Sequence, residues 1–205
     1  MFDVEGFDSW ALDYEREAAE MEAEGGYPFG GRTQVLDLVA ELAHVGKGAK
    51  VLDLGCGPGI LLERFAQAGC EVYGIDSSNQ MLALAEKRVP AAHLALADLR
   101  DELPAEWGSG FAAIISTYAI HHIPDADKIA LIRRLLGLLA PGGAFLIGDV
   151  AFADEADRLA ARAEAGESWD DDEYYTVADV LAAELPDVSF HKVTPWSGVV
   201  EVRAS

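Results

Sequence analysis

A glycine-rich segment and two later carboxylates are the residues of this sequence with the clearest chemical potential. The segment reads Asp53-Leu54-Gly55-Cys56-Gly57-Pro58-Gly59, and Asp76 and Asp98 each end a later apolar run. Glycines let the backbone turn sharply and let a ligand approach without meeting a Cβ atom. A carboxylate at the first position can accept hydrogen bonds from two ribose hydroxyls. One at the second can accept a hydrogen bond from the exocyclic amine of adenine.

The spacing of the glycines distinguishes between two kinds of nucleotide ligand. A dinucleotide fingerprint, Gly-x-Gly-x-x-Gly, would put its third glycine at position 60, but this chain has Gly59 followed by Ile60. No Arg or Lys follows within the turn to meet a pyrophosphate, and Asp53 directs negative charge toward the pocket. The sequence therefore favours a ligand with an ammonium and a sulfonium over one with two phosphates.

Two adjacent histidines and a tyrosine, Tyr118, His121 and His122, are candidates for removing a proton from a thiol, hydroxyl or carbon acid. Structural roles are the alternative for each, such as a histidine hydrogen-bonded to a loop. Adjacent side chains diverge along a chain, and the acidic run 170–173 lacks the spacing of a calcium loop, so no metal site is predicted. Asp149 ends the fifth apolar run, but the sequence does not identify a partner for it.

Short apolar runs alternate with helical patterns and must position these residues. Strands are predicted at 51–54, 71–75, 93–97, 111–116 and 144–148, and helices begin near three polar residues: Thr33, Ser77 in a capping box with Gln80, and Asp125. Strand–helix alternation with apolar strands predicts an α/β, Rossmann-like, doubly wound sheet that is mostly parallel. The tail differs. Thr176 is expected to cap a helix, and 188–193 and 199–203 alternate like an antiparallel C-terminal hairpin.

Composition restricts the class of protein and its partners. The 205 residues suit a single domain, and 36 acids against 15 bases leave a formal net charge of −21. Such a surface repels nucleic acid and anionic membranes, although adaptation to a salty cytoplasm would give the same balance. No apolar stretch has the length of a membrane span, and the acidic start is unlike a signal peptide, so a cytoplasmic protein is expected. Cys56 and Cys70 are expected to be reduced and buried.

Four motifs in order resemble those of class I S-adenosylmethionine (AdoMet)-dependent methyltransferases: 51–59, Gly74-Ile75-Asp76, Ala97-Asp98-Leu99 and 139–143. The resemblance implies AdoMet as cofactor, S-adenosylhomocysteine (AdoHcy) as product, and a seven-stranded sheet with N-terminal helices. It also implies cofactor contacts from a defined set of residues: Tyr14, Asp53, Gly55, Cys56, Gly57, Gly59, Asp76, Ser77, Met81, Asp98, Leu99 and Ser116. Within that set, Asp76 would hold the ribose, Asp98 and Leu99 the adenine, and Ser116 would offer its backbone carbonyl to the ammonium.

A narrower resemblance, to the YrrT-type methyltransferases of bacteria, is carried by Trp10-Ala11 with Tyr14, the segment 115–122, Asp149 and Glu173-Tyr174-Tyr175. That group generally has Glu where Asp53 and Asp76 stand here. The expected organisation is one domain over 1–205: a helical lid over 1–47, an AdoMet-binding core over 48–150, and substrate-side helices with the terminal hairpin over 151–205. The expected partner is a small-molecule methyl acceptor, and the chain is expected to be a monomer or homodimer. A nicotinamide-dependent oxidoreductase and a non-catalytic AdoMet- or AdoHcy-binding protein are the alternatives.

Overall fold

A computed structural model describes residues 13–203, and its centre is a twisted, mostly parallel sheet. The strands are β1 (Lys50–Leu54), β2 (Glu71–Asp76), β3 (His93–Leu96), β4 (Phe111–Thr117), β5 (Leu139–Phe152), β6 (Thr176–Val177), β7 (Val188–Lys192) and β8 (Ser197–Arg203). Seven of them lie in the order β3-β2-β1-β4-β5-β8-β7, and the short β6 pairs with the end of β5. The strands from β1 to β3 follow one another toward one edge of the sheet, and those from β4 onward lie on the other side of β1. The order therefore reverses between β1 and β4, which leaves a crevice at the carboxyl ends of these two strands.

Helices cover both faces of this sheet. They are α1 (Tyr14–Glu24), α2 (Arg32–Leu42), α3 (Ile60–Gln67), α4 (Asn79–Arg88), α5 (Asp125–Leu136), α6 (Glu155–Ala165) and α7 (Ala178–Ala182). A separate buried apolar cluster lies on each face of the sheet. Leu52 and Leu54 pack in the cluster with α5 and α7, whereas Val51, which precedes Leu52, packs in the cluster with α2 and α3. The alternation follows from the two-residue period of a strand and confirms the doubly wound fold.

The C-terminal strands run against the others, as predicted. β8 is antiparallel to β5, with Ile147 opposite Val200, and β7 is antiparallel to β8, with Phe190 opposite Val200. Among the described residues, no helix is both long enough and apolar enough to cross a bilayer. Trp10 and Ala11, which the narrower resemblance used, lie outside the described residues.

Several local predictions were wrong at element ends. The N-cap of α4 is Ser78, whose hydroxyl accepts from Met81 N at 3.1 Å, so Ser77 is displaced into the loop. Asp125 is the first residue of α5 rather than its cap, and Thr176 lies in β6. Of the two free cysteines, Cys56 is buried but Cys70 is only partly so. The predicted helix starts are wrong by one or two residues. The burial of Cys70 was mispredicted because it depends on packing with residues far away in the sequence.

Candidate active site

The glycine turn between β1 and α3 has a backbone that only glycine adopts easily. Gly55, Gly57 and Gly59 have φ angles of +71°, +52° and +82°. A Cβ atom on Gly55 would stand 2.5 Å from the Cβ of Ala119, whereas one on Gly57 would meet no atom within 4 Å. The turn therefore packs closely against the loop after β4 at Gly55 and leaves open space beside Gly57.

Asp76 ends β2 and is bound to this turn. Its Oδ2 accepts from Gly57 N at 2.8 Å, and its Oδ1 accepts from Ser78 N at 2.9 Å. A carboxylate has about four acceptor positions, and these two contacts use two of them. Asp76 and Ser77 both line the principal cavity. The carboxylate is thus fixed in place at the wall of the cavity.

Asp98 and Leu99 lie after β3 and line the same cavity together with Met81 of α4. The Nε and Nη2 atoms of Arg100 donate to the two oxygens of Asp98 at 2.7 and 2.9 Å, and this pairing lowers the pKa of Asp98. The sequence did not indicate this ion pair. It keeps Asp98 ionised and uses part of its acceptor capacity.

The principal cavity has a volume of about 610 Å³, within the usual range for small-molecule sites. One end is lined by the glycine turn, Asp76 and the loop after β3. The other end is lined by the α1–α2 loop through Tyr27–Phe29 and by the segment before β6. A smaller space of about 30 Å³ adjoins it and shares Tyr14, Gly55, Gly57 and Thr117 as lining residues.

Asp53 and Arg32 line the smaller space with buried polar atoms that lack partners among the described residues. Neither Asp53 Oδ1 nor Arg32 Nε has a hydrogen-bond partner, and Asp53 is 2% exposed. Burial, with a contribution from the charge of Asp76, raises the pKa of Asp53 to about 8. Buried polar groups are nearly always paired, so these two atoms indicate a ligand with a donor for Asp53 and an acceptor for Arg32.

Three other predicted cofactor residues occupy different positions. Tyr14, the first residue of α1, is half-buried, lines both spaces, and has the Arg32 guanidinium 5.5 Å from its ring centroid. Cys56 lines only the smaller space, and burial raises the pKa of its thiol. Ser116 lies inside β4, where its hydroxyl donates to the Leu54 carbonyl at 2.9 Å, and the neighbouring Thr117 lines the cavity. The hydroxyl of Ser116 thus holds β4 to β1.

His121 forms a pair with Asp149 at the other end of the cavity. The imidazole Nδ1 lies 2.7 Å from Asp149 Oδ1, and the aspartate side chain is fully buried. Burial acts to lower the pKa of His121, but the charge and hydrogen bond of Asp149 outweigh it and the pKa is raised. Asp149 is thereby the partner that the sequence left unidentified. It fixes the ring and leaves Nε2 as the nitrogen available to the cavity, which His121 lines.

His122 forms a second pair, with Glu173. Its Nδ1 lies 3.1 Å from Glu173 Oε2, and both residues line the cavity. Adjacent side chains are expected to diverge along a chain, but the ring centroids of His121 and His122 are only 4.2 Å apart. They converge because Ile120–His122 forms a short 3₁₀ turn, in which side chains are not splayed as in a strand. Glu173 belongs to the acidic run 170–173, which lacks the spacing of a calcium loop, yet its side chain is only 9% exposed.

Aromatic hydroxyls complete this end of the cavity. Tyr118 has φ +49°, and its buried hydroxyl lacks a hydrogen-bond partner among the described residues; burial raises its pKa. The Tyr27 and Tyr175 hydroxyls are hydrogen-bonded to each other, which ties the α1–α2 loop to the segment before β6. Tyr175 is buried and lines the cavity, whereas Tyr174 is 44% exposed.

Comparison with known proteins identifies the family. The chain is 36% identical over 186 residues to an uncharacterized methyltransferase of Geobacillus kaustophilus, and the aligned region covers 86% of this chain and 83% of that protein. An uncharacterized methyltransferase of Geobacillus thermodenitrificans is 37% identical over 193 residues, covering 90% and 86%. Residues 51–143 match a family model described as a methyltransferase domain. The chain belongs to the methyltransferase family.

Solved structures show the same fold. Magnesium protoporphyrin IX methyltransferase of Synechocystis PCC 6803, with bound SAH, superposes at a TM-score of 0.67 with 24% identity, covering 98% of this methyltransferase and 97% of that chain. A DhpI-SAM-HEP complex superposes at 0.70 with 18% identity, covering 97% and 94%. Neither alternative, the nicotinamide-dependent oxidoreductase nor the non-catalytic binding protein, gains support from these matches. The narrower YrrT-type assignment stays a prediction.

Proposed function

We propose that this methyltransferase transfers a methyl group from AdoMet to a small molecule. The observation that carries the proposal is the pair of buried, unpartnered atoms Asp53 Oδ1 and Arg32 Nε beside the glycine turn. An amino acid moiety carries an ammonium and a carboxylate, which are the donor and the acceptor that these two atoms lack. The open space beside Gly57 and the two aspartates Asp76 and Asp98 extend the same surface toward a ribose and an adenine.

In this proposal, Arg32 and each of the predicted cofactor residues have a defined role. Asp53 would accept from the ammonium, with the Ser116 backbone carbonyl close by, and Arg32 would donate to the carboxylate. Gly57 would leave the backbone bare beside the cofactor, Gly55 and Gly59 let the turn pack against Ala119 and Ala85, and Cys56 lines the smaller space. Asp76 would accept from the ribose hydroxyls beside Ser77, and Asp98 would accept from the adenine amine. Met81 and Leu99 supply apolar lining near the base, and Tyr14 would close over the methionine end.

The residues at the other end of the cavity would position the methyl acceptor. When bound, AdoMet supplies an activated methyl on a sulfonium, and aligning an acceptor in line with the methyl–sulfur bond can lower the barrier by about 7 to 11 kcal/mol. The α1–α2 loop and the segment before β6 line the proposed acceptor end, and we assign them to the lid and the substrate-side wall. His121, held by Asp149, is the group best placed to take a proton from the acceptor, with His122 and Tyr118 beside it.

A small acceptor is proposed on two grounds. The cavity volume of about 610 Å³ suits a cofactor with a small partner molecule. The formal net charge of −21 disfavours a phosphate backbone or an anionic membrane as partner. The same charge does not disfavour a neutral or cationic metabolite.

Calorimetric titration with AdoMet, AdoHcy and NADH tests the cofactor assignment. We expect AdoMet and AdoHcy to bind with one site per chain and NADH not to bind, and binding of NADH alone would refute the proposal. Incubation of labelled AdoMet with the protein and a metabolite extract tests catalysis. AdoHcy should accumulate only when both are present, whereas AdoMet binding without turnover would favour a binding protein.

A further inference from the structure

We propose that His121, His122 and Glu173 form a binding site for a divalent transition-metal ion at the acceptor end of the cavity. One ligand atom from each of the three residues lies within 4.8 Å of the other two, and all three residues line the cavity. Two imidazoles and one carboxylate on one side of an open space are a ligand set that binds ions such as Zn²⁺, Fe²⁺ or Mn²⁺ and leaves positions for a further ligand.

Two separate parts of the chain bring these groups together. The 3₁₀ turn Ile120–His122 after β4 presents both histidines, and the segment before β6 supplies Glu173. A backbone hydrogen bond from Tyr174 N to His121 O, 2.8 Å long, joins the two segments beside the cluster. This main-chain hydrogen bond fixes the two segments that carry the ligand side chains relative to each other.

Asp149 supplies a second, separate observation. Its side chain is fully buried and its Oδ1 is 2.7 Å from His121 Nδ1, so Nε2 is the nitrogen left to ligate. Metal-ligating histidines almost always donate their other ring N–H to a carboxylate or carbonyl in this way. Asp149 Oδ2 is buried without a hydrogen-bond partner among the described residues. A positive charge on the imidazole side would offset the cost of burying that carboxylate.

The charges of the surrounding side chains favour the binding of a cation. The ammonium of Lys128 is buried nearby and donates to Asp125 and to the carbonyl of Tyr174. Its positive charge opposes a metal ion, but the carboxylates of Glu173 and Asp149 both act on it electrostatically and outnumber it. With neutral imidazoles, Lys128 and the carboxylates of Asp125, Asp149 and Glu173 thus carry two net negative charges.

What the ion would do rests on the proposed function. A hydroxyl or thiol acceptor bound to the ion loses its proton more easily, because the cation lowers its pKa. The deprotonated oxygen or sulfur then forms a bond to the methyl carbon as the methyl–sulfonium bond breaks. The sulfonium becomes the thioether of AdoHcy, and the proton goes to solvent. With the ion bound, the two histidines are ligands, and the acceptor proton is not passed to them.

Metal titration of the purified chain, after EDTA treatment and dialysis, tests the site without any acceptor. We expect one Co²⁺ per chain with visible absorption of a nitrogen- and oxygen-ligated ion, and displacement by Zn²⁺. His122→Ala and Glu173→Gln should each weaken Co²⁺ binding by at least tenfold, and Asp149→Asn should weaken it by about 10- to 100-fold.

His93 and Glu71 provide a matched control, because they form another histidine–glutamate pair, 3.3 Å apart, on the exposed edge of the sheet. His93→Ala should leave Co²⁺ binding unchanged. Absence of stoichiometric Co²⁺ binding, or binding that survives both His122→Ala and Glu173→Gln, would overturn the metal site. AdoMet binding measured on the same metal-free preparations shows that each variant is folded and reports separately on the proposed function.

Discussion

The carboxylate of Asp76 is fixed by two backbone N–H groups, at 2.8 and 2.9 Å, before any ligand binds. A preorganised charged acceptor loses little freedom when it meets two ribose hydroxyls. Asp76→Ala should therefore weaken AdoMet binding by about 1 to 3 kcal/mol, or roughly 5- to 150-fold in Kd by calorimetry. Asp76→Asn keeps one acceptor oxygen and should lose less. An unchanged Kd for the alanine variant would show that the ribose lies elsewhere.

The buried carboxyl of Asp53 should make the stability of the free protein depend on pH. Burial raises its pKa to about 8, whereas in the unfolded chain it ionises near its ordinary value. Between these values the folded state holds a proton that the unfolded state has lost, so the stability falls as pH rises from about 4 to about 8 and is level above that. The Tm of the wild type relative to Asp53→Asn should therefore decrease from about pH 5 to about pH 8 and then stay constant. Parallel Tm curves would contradict this placement of the charge.

At the scale of elements, the turn from β1 into α3 matters because its open face lies beside Gly57. Gly57 and Gly142 both have positive φ, +52° and +78°, and a Cβ on either would meet no atom within 4 Å. Alanine at either position should cost a similar strain, about 1 to 2 kcal/mol in the free energy of unfolding. Only the Gly57→Ala methyl would enter the proposed cofactor space.

Gly57→Ala should thus raise the AdoMet Kd at least roughly tenfold, the equivalent of about 1.4 kcal/mol, while Gly142→Ala should leave it unchanged. Calorimetry gives the Kd values, and chemical denaturation gives the free energies of unfolding. Equal Kd values for the two variants would mean that the ligand does not approach the turn.

At the scale of the whole molecule, the formal net charge of −21 should oppose the compact state. Raising NaCl from about 0.1 to 1 M shortens the screening length from about 10 to 3 Å and should raise the Tm. The increase should be smaller near pH 5, where more carboxylates hold protons. A Tm that does not respond to salt at neutral pH would show that the acidic residues are already balanced within the fold.

The residues that line the proposed cofactor end of the cavity could be predicted from the sequence because their signals are local. Gly55, Gly57 and Gly59 are spaced for one turn, and Asp76 ends the next strand along the chain. Once the strands are known to be parallel, their carboxyl ends must meet at one edge of the sheet. The sheet, its reversed C-terminal hairpin and the family followed from the same periodicities and motifs.

Pairings across the chain needed the tertiary structure. His121 and Asp149 are 28 positions apart, His122 and Glu173 are 51 apart, and no periodicity links either pair. Arg32 begins a helix without any motif, so its burial beside Asp53 is set by how α2 packs on the sheet. The one available signal was Asp149 itself, an acid directly after the apolar run 144–148, which a buried partner must balance.

The sequence by itself determined the strand–helix order, the bare backbone of the turn and the acids at the strand ends, because each depends on neighbours a few residues away. Only the tertiary structure decided which side chains face one another across the acceptor end. There the contacts depend on the simultaneous packing of the turn after β4, the end of β5 and the segment before β6, which are brought together by folding of the whole domain.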